Sequence, residues 1–276
     1  MKMIQKFCIV GLSLTAACVC MAAGQEAWRA AERPLVVSHR GGRGEYDDNA
    51  AGGFRKCLEF GIRGFETDVR MTKDNELVIM HDSDVTRTTT CTEKKLIKDL
   101  TLSEVTALTL KKSGERVPSV QQVADVFKGA KDIRVEWEMK ESTKALGGER
   151  GDLYCRKLHD IVARTMEPGT YVFTSFSVDT LKTMKRLYPD APIGLIRGKP
   201  CTKEYVDTAV ALGCCGIAPL LKDSTKEAVD YAHEKGLVVS LWMVQNLKAY
   251  ELSKSLGADT NTSDFPMKLL TDVKAK

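Results

Sequence analysis

From Pro34 onwards the chain repeats one pattern, a short apolar run followed by a longer segment with apolar residues at helical spacing. Strands are expected at Pro34–Ser38, Gly64–Val69, Ile133–Met139, Tyr171–Phe176, Ile193–Ile196, Gly216–Leu221, Val238–Val244 and Asp259–Ser263. The helices between them include one with Phe54, Cys57 and Leu58 on its apolar face. Others are expected at Asp152–Met166, Val178–Leu187, Lys203–Leu212, Thr225–Lys235 and Leu247–Leu256, with Pro266–Val273 closing the chain. Strands that alternate with helices imply right-handed crossovers and a parallel sheet. About eight such units in roughly 240 residues predict an α/β fold, a (β/α)8 TIM barrel, for which ~250 residues is typical. An open doubly wound sheet is the alternative, and it normally carries a GxGxxG turn after its first strand. Here His39-Arg40-Gly41-Gly42-Arg43-Gly44 leads through Glu45–Asp48 before any helix, so the barrel is preferred.

Ser83–Gly114 departs from the repeat. It is polar and rich in threonine, has one helical signal at Ser103–Leu108, and reads as a short insertion capping the strand ends. A short run before it, Glu76–Met80, extends the second strand unit and ends in His81-Asp82. A helix from Pro118 or Ser119 to Phe127 follows.

Lys2 and Lys6 precede a mostly apolar run from Phe7 to Val19, and small residues follow at Ala22-Ala23-Gly24. This is the pattern of a secretory signal over residues 1–23, cut near Ala23, and it implies a secreted or periplasmic protein. The run is shorter than the ~20 residues a membrane span needs, so no stable span is expected. Leu14–Cys18 resembles a lipobox only loosely, which makes a lipid anchor a weak alternative. Loss of Lys2 and Lys6 takes the net charge from +4 to +2. With no basic tail or block, nucleic acid is not an expected partner. Six cysteines lie beyond the leader, at irregular spacings without CxxC, so zinc is not expected and no disulfide pairing is assigned.

The chemistry concentrates between Pro34 and Thr90. Of four histidines, His39 and His81 close apolar strand runs, whereas His159 and His233 fall mid-helix among charged residues and read as surface groups. Glu66 and Asp68 stand two apart on one strand and so share a face. Glu136, Glu138 and Lys140 share a face on the next barrel strand. Carboxylates inside apolar strands are unfavourable unless they are paired or hold a metal. Singly, each fits an ion-pair partner. Three together from neighbouring strands fit a hard divalent cation, Ca²⁺ or Mg²⁺. Spacing alone leaves open which of Glu136 and Glu138 takes part. Two histidines suit acid–base catalysis near neutral pH. Arg40 and Lys140 add positive charge for an anion, and the set describes phosphoryl chemistry.

The order His39-Arg40-Gly41, Asp48-Asn49, Glu66-Thr67-Asp68-Val69, His81-Asp82 and Arg87-Thr88-Thr89 resembles the glycerophosphodiester phosphodiesterase family. So do Glu138-Met139-Lys140, Ser175-Phe176, Trp242–Asn246 and Thr262–Pro266, and the likeness covers Pro34–Leu270. It implies one barrel domain over 34–276, with residues 83–114 as the insertion. It implies metal ligands at Glu66, Asp68 and Glu138, His39 and His81 as the acid–base pair, and Arg40 and Lys140 on the phosphate. Trp242 would line the glycerol pocket. The implied reaction is metal-dependent hydrolysis of a small-molecule glycerophosphodiester to glycerol 3-phosphate and an alcohol, with a cyclic phosphodiester as an intermediate. The family usually has Pro-Glu-Asn-Thr where this chain has Asp47-Asp48-Asn49-Ala50, so metal coordination could differ if Asp48 takes part. Two other functions fit such a barrel: a phospholipase acting on intact lipid, or a binding barrel without catalysis. The insertion has no aromatic residue for membrane contact, and both histidines and all three carboxylates are present, so the hydrolase is preferred. Leaving alcohol and oligomeric state are not encoded in any recognisable motif.

Overall fold

The computed structural model describes residues 34–276. The leader expected over residues 1–23 lies outside the described residues. Strand β1 (Leu35–His39) leads to helix α1 (Ala51–Phe60) and then to β2 (Gly64–Met71). Strand β3 (Leu77–Ile79) returns antiparallel beside β2, with Val69 opposite Ile79. After the excursion come α2 (Leu102–Thr106) and α3 (Val120–Val126), then β4 (Arg134–Met139), α4 (Thr143–Leu146) and α5 (Gly148–Thr165). The alternation then runs β5 (Tyr171–Ser175), α6 (Val178–Leu187), β6 (Ile193–Pro200), α7 (Lys203–Ala211), β7 (Gly216–Leu220) and α8 (Lys226–Glu234). It ends with β8 (Val238–Leu241), α9 (Leu247–Leu256), β9 (Thr260–Ser263) and α10 (Pro266–Lys274).

The parallel strands follow the order β1-β9-β8-β7-β6-β5-β4-β2, and β1 also pairs with β2. That last pairing closes an eight-stranded parallel barrel, as the alternation predicts, and β3 lies outside the ring. Outward-facing strand residues meet the helices in one continuous apolar layer that includes Phe65, Val135, Trp137, Phe173, Leu195 and Val239. Phe127 packs at 4.7 Å from Phe65 and edge-on to Phe54 at 5.8 Å, locking α1 and α3 onto β2. Each such side chain contributes about 1.5–3 kcal/mol by burial.

The excursion builds a second, smaller core. Val85, Ile97, Val105 and Leu110 pack with Ala50, Val78, Met80 and Val117. The segment is thus bound to the start of α1 and to β3. Its helix α2 starts at a capping box in which Thr101 and Glu104 satisfy each other's backbone N–H groups, the device that also starts α3 at Ser119 and Gln122. Two carboxylates, the buried Asp47 and the half-buried Glu115, tie the excursion to the chain between β1 and α1. Asp47 accepts from the backbone N–H groups of Lys112 and Ser113, and Glu115 accepts from Tyr46 Oη and the Gly52 N–H.

Three boundaries differ from expectation by more than two residues. Helix α5 begins at Gly148 rather than Asp152, because Gly151 serves packing: a Cβ there would lie 2.8 Å from the Thr143 carbonyl oxygen. Strand β6 runs on to Pro200 through an irregularity between Ile196 and Pro200. Strand β8 stops at Leu241 rather than Val244; beyond it Trp242 pairs with Leu220 only as a single parallel bridge, and the Val244 N–H donates to the Thr262 carbonyl. The six cysteines of the described residues are all free.

Gly148 and Gly151 make a paired test of close packing. A Cβ on Gly148 meets nothing within 4 Å. Gly148→Ala is expected to leave the melting temperature unchanged or slightly raised, and Gly151→Ala to cost about 1–3 kcal/mol by overpacking. Thermal melts of the two variants measure the difference, and equal melting temperatures would remove the close-approach argument.

Candidate active site

The turn that leaves β1 is wound in an uncommon sense. Arg40, Gly41 and Gly42 all have positive φ, at 51°, 72° and 81°. Glycine adopts this conformation freely and arginine does not. Arg40 is held there by its own contacts: its backbone N–H donates to Glu66 Oε2 at 3.1 Å, and its guanidinium lies 3.3 Å from Asp68 Oδ2 and 3.2 Å from Asp48 Oδ2. The turn therefore presents a buried arginine over the end of β2. Asn49, also at positive φ (62°), closes it from behind. Its Nδ2 donates to Asp68 Oδ2 at 2.8 Å, and its Oδ1 accepts from Thr67 Oγ1 at 3.0 Å.

Parallel register puts Glu66 beside Glu136 and Asp68 beside Glu138. Four carboxylates thus enter the barrel from two adjacent strands. Glu136 is the deeper of the β4 pair and is satisfied by Arg134, whose Nε donates to it at 3.1 Å. The other three converge: ligand atoms of Glu66, Asp68 and Glu138 lie within 4.8 Å of one another, all buried. Lys140 Nζ stands 2.7 Å from Glu138 Oε1 and 3.4 Å from Asp68 Oδ1.

The two strand-end histidines flank this cluster. His39 Nε2 is 3.8 Å from Glu66 Oε2, and its Nδ1 is 2.5 Å from Asp264 Oδ1. His81 Nδ1 is 2.7 Å from Asp82 Oδ1, and the His81 carbonyl accepts from Arg70 Nε and Nη2 at 2.9 and 2.7 Å. Each imidazole therefore has one nitrogen held by a carboxylate, which fixes ring direction and leaves Nε2 for chemistry. Trp242 is pinned by its Nε1–H to the Ala218 carbonyl at 2.8 Å, with Phe176 edge-on at 6.2 Å. The structure thus gathers His39, His81, Arg40, Lys140, Glu66, Asp68 and Glu138 at one mouth, with Trp242 on its rim. The other two histidines stand elsewhere: His159 stacks on Tyr188, and His233 meets Asp259.

Sequence reasoning assigned no partner to Asp264, Asp82 or Asn49, and considered Asp48 only as a possible metal contact. Asp264 was findable. In a closed barrel the last strand adjoins the first, and Ser38 pairs with Ser263, so the residues that follow are neighbours. Asp48 points to arginines, Arg40, Arg43 and Arg87, and not into the acidic cluster. The shortened acid at this position therefore leaves the cluster's donors unchanged.

The sequence profile of the Glycerophosphoryl diester phosphodiesterase family matches residues 39–268. The chain belongs to that family. A glycerophosphodiester phosphodiesterase from Caldanaerobacter subterraneus is 27% identical over 248 residues, which is 88% of this chain and 98% of that one. A crystal structure from Silicibacter pomeroyi superposes with a TM-score of 0.81 at 23% identity, covering 91% of this chain and 97% of that chain. An Oleispira antarctica phosphodiesterase, solved in complex with the product sn-glycerol-3-phosphate, superposes with a TM-score of 0.76 at 19% identity, covering 88% and 97%. Family membership makes the chain an enzyme, a phosphoric diester hydrolase. No helix among the described residues is long and apolar enough to cross a membrane.

The acidic cluster of this family member fits a divalent cation. Its donors are all carboxylate oxygens, and Glu66 Oε1 and Asp68 Oδ1 are buried without accepting any hydrogen bond. Such atoms are costly to leave unmet, and oxygen donors suit a hard cation. Electrostatics agree. Burial, then repulsion from Asp68, pushes Glu138 up to about 7. Glu66 is raised well above the usual range by burial and by its two acidic neighbours. Burial also acts on Asp68, but Lys140, Arg40, His81 and the Asn49 hydrogen bond outweigh it and hold that carboxyl low. Burial is the largest influence on both His39 and His81 and lowers them, with Asp264 acting against it at His39 and Asp68 and Asp82 acting against it at His81.

These shifts set a pH dependence. A raised carboxyl means that the folded protein holds the proton more tightly than the unfolded chain. For Glu138 that stabilisation is complete below its ordinary value of 4.5 and is lost as pH rises through about 7. The depressed Asp68 contributes nothing variable in this window. His39 and His81, being lowered, act in the opposite sense, so the Glu138 contribution is read as a difference: between about pH 5.5 and about pH 8, chelated Glu138→Gln is expected to gain melting temperature relative to the chelated parent. Added Ca²⁺ or Mg²⁺ should raise the melting temperature more at about pH 8 than at about pH 6, because protons no longer compete. Identical gains at both pH values would contradict a cation bound by these carboxylates.

Proposed function

We propose that the chain hydrolyses small-molecule glycerophosphodiesters to glycerol 3-phosphate and an alcohol, with His39 and His81 as the acid–base pair. The carrying observation is that both imidazoles, each fixed at Nδ1 by a carboxylate, flank a buried three-carboxylate cluster with Arg40 and Lys140 beside it. The name of the Caldanaerobacter relative and the product held by the Oleispira enzyme support the same substrate class. Glu66, Asp68 and Glu138 would hold Ca²⁺ or Mg²⁺, which when bound supplies positive charge to a phosphate oxygen and to the attacking hydroxyl. Arg40 and Lys140 orient and neutralise the phosphate. One histidine takes the proton of the glycerol hydroxyl next to the phosphate as its oxygen bonds to phosphorus. The other gives a proton to the departing alkoxide as the second P–O bond breaks. The product of that step is a five-membered cyclic phosphodiester. Water then opens it with the two histidines exchanging roles, and the ring oxygen regains its proton. Trp242, held rigid by its indole hydrogen bond, walls the glycerol side.

An intact or lyso-lipid substrate is a second reading. The insertion lacks aromatic residues, but Phe176 and Phe265 follow the ends of β5 and β9 and are 41% and 38% exposed at the same rim. The leader-like Lys2, Lys6 and Phe7–Val19 support a further proposal, export with cleavage near Ala23.

The deciding assay follows release of the alcohol, choline or ethanolamine, from glycerophosphocholine, glycerophosphoethanolamine and lysophosphatidylcholine, with glycerol 3-phosphate as the co-product of the first two and lysophosphatidic acid that of the third, after chelation and with Ca²⁺ or Mg²⁺ restored. Metal-dependent release from the first two is expected, and release from the lysolipid alone would move the weight to the second reading. His39→Ala and His81→Ala should each lower kcat by about 10²–10⁴ without loss of fold. Wild-type turnover in either variant would remove the acid–base assignment. Phosphorus NMR of a slow variant should show the cyclic phosphodiester transiently.

A further inference from the structure

One side chain from the excursion reaches toward both halves of the site without touching any residue placed in the chemistry. Arg87 Nη1 lies 2.9 Å from Asp48 Oδ2, the oxygen that also takes Arg40 Nη1 at 3.2 Å. Arg87 Nε donates to Asp82 Oδ2, while Asp82 Oδ1 stands 2.7 Å from His81 Nδ1. Two carboxylates 34 residues apart in sequence are therefore joined by one planar guanidinium, and each carboxylate holds a different functional group. We propose that Arg87 is a positioning residue that fixes the His81 ring and the Arg40 guanidinium relative to each other. The inference rests on the roles proposed above for His81 and Arg40.

The alternative, that Arg87 simply stabilises the excursion, is poorly matched to its surroundings. Its side chain is 40% exposed. The apolar core of the excursion, Val85, Ile97, Val105 and Leu110, is built without it. Asp47, Glu115 and Lys112 already bind the excursion to the loop after β1. The main chain at His81 is likewise held independently by Arg70 on the His81 carbonyl. What Arg87 adds is direction. Asp82 sits in a bend, and its second oxygen accepts from Arg87 while its first meets His81. Asp48 keeps Arg43 at 3.5 Å and Arg40 when Arg87 is removed, but loses its connection to the His81 side. A guanidinium can address two carboxylates at once through Nε and Nη1, whereas a lysine ammonium is a point charge on a flexible stem. A displacement on the order of 1 Å in such a site can lower a rate by about 10²-fold.

The test uses Arg87→Ala and Arg87→Lys, each alone and combined with Asp82→Asn, with His81→Ala as reference. Glycerol 3-phosphate release from glycerophosphocholine is followed with divalent cation present. Arg87→Ala is expected to lower kcat by about 10–10²-fold with a melting temperature close to that of the parent. Arg87→Lys should recover only part of this loss. In the Asp82→Asn background, removing Arg87 should lower kcat little further, because its route to His81 is already cut. Millimolar guanidinium should raise kcat of Arg87→Ala and leave the parent unchanged, which a general loss of stability would not produce. Should Arg87→Ala melt below the assay temperature, Arg87→Lys carries the same comparison with Asp82→Asn. A kcat within about twofold of the parent for both Arg87 variants, with His81→Ala inactive, would overturn the positioning role alone. So would fully additive losses with Asp82→Asn. Retained activity in His81→Ala would instead overturn the acid–base reading on which the inference depends.

Discussion

Everything at the mouth of this barrel is arranged around carboxylates that should not be there. Glu66, Asp68, Glu136 and Glu138 project from two adjacent strands into a closed interior. Like charges so close and so dry repel strongly, and burial of each is unfavourable without compensation. The structure compensates them unequally. Glu136 accepts from Arg134, and Asp68 has Lys140, Arg40 and the Asn49 amide, which hold its carboxyl low. Glu66 and Glu138 are left with raised proton affinity. This partial neutralisation holds affinity for a cation in reserve, at the place where Arg40 and Lys140 already favour an anion.

The histidines obey a different constraint. Burial lowers the basicity of both, and each has one aspartate opposite Nδ1 that partly restores it. The two aspartates come from unrelated parts of the chain. Asp82 is the next residue after His81, whereas Asp264 arrives with β9, where the barrel closes. The rings are thus oriented by one local and one very distant contact, although the chemistry treats them as a pair.

The barrel was legible in the sequence because alternating strand and helix periodicities are local signals that the tertiary structure does not override. Val178–Leu187 and Leu247–Leu256 match to the residue. Two of the misplaced boundaries lie where the regular pattern gives way locally: Gly151 packs against Thr143, and Trp242 pairs with Leu220 as a single bridge beyond the end of β8. The histidines and the three clustered carboxylates were visible as polar groups at strand ends. Their partners were not. Nothing local at Asp48, Asp82 or Arg87 distinguishes a carboxylate or guanidinium that holds an active-site group from one that meets solvent. Their contacts depend on how a non-repeating excursion folds back. The choice between Glu136 and Glu138 was equally hidden, since parity is identical and depth in the barrel decides it.

Closure of the ring has a consequence for how such a chain comes into being. His39 and Asp264 are 225 residues apart, yet they share one short hydrogen bond. Strand β1 waits without its partner β9 until almost the whole domain has emerged from the ribosome, at about 5–20 residues per second. Through that interval the first strand has an unpaired edge and the first imidazole has no carboxylate. The cost of joining such remote segments makes this a slow, late event in folding. The contact that orients the His39 ring therefore arrives only with the last strand, and a nascent or truncated chain with most of its helices in place would still lack it.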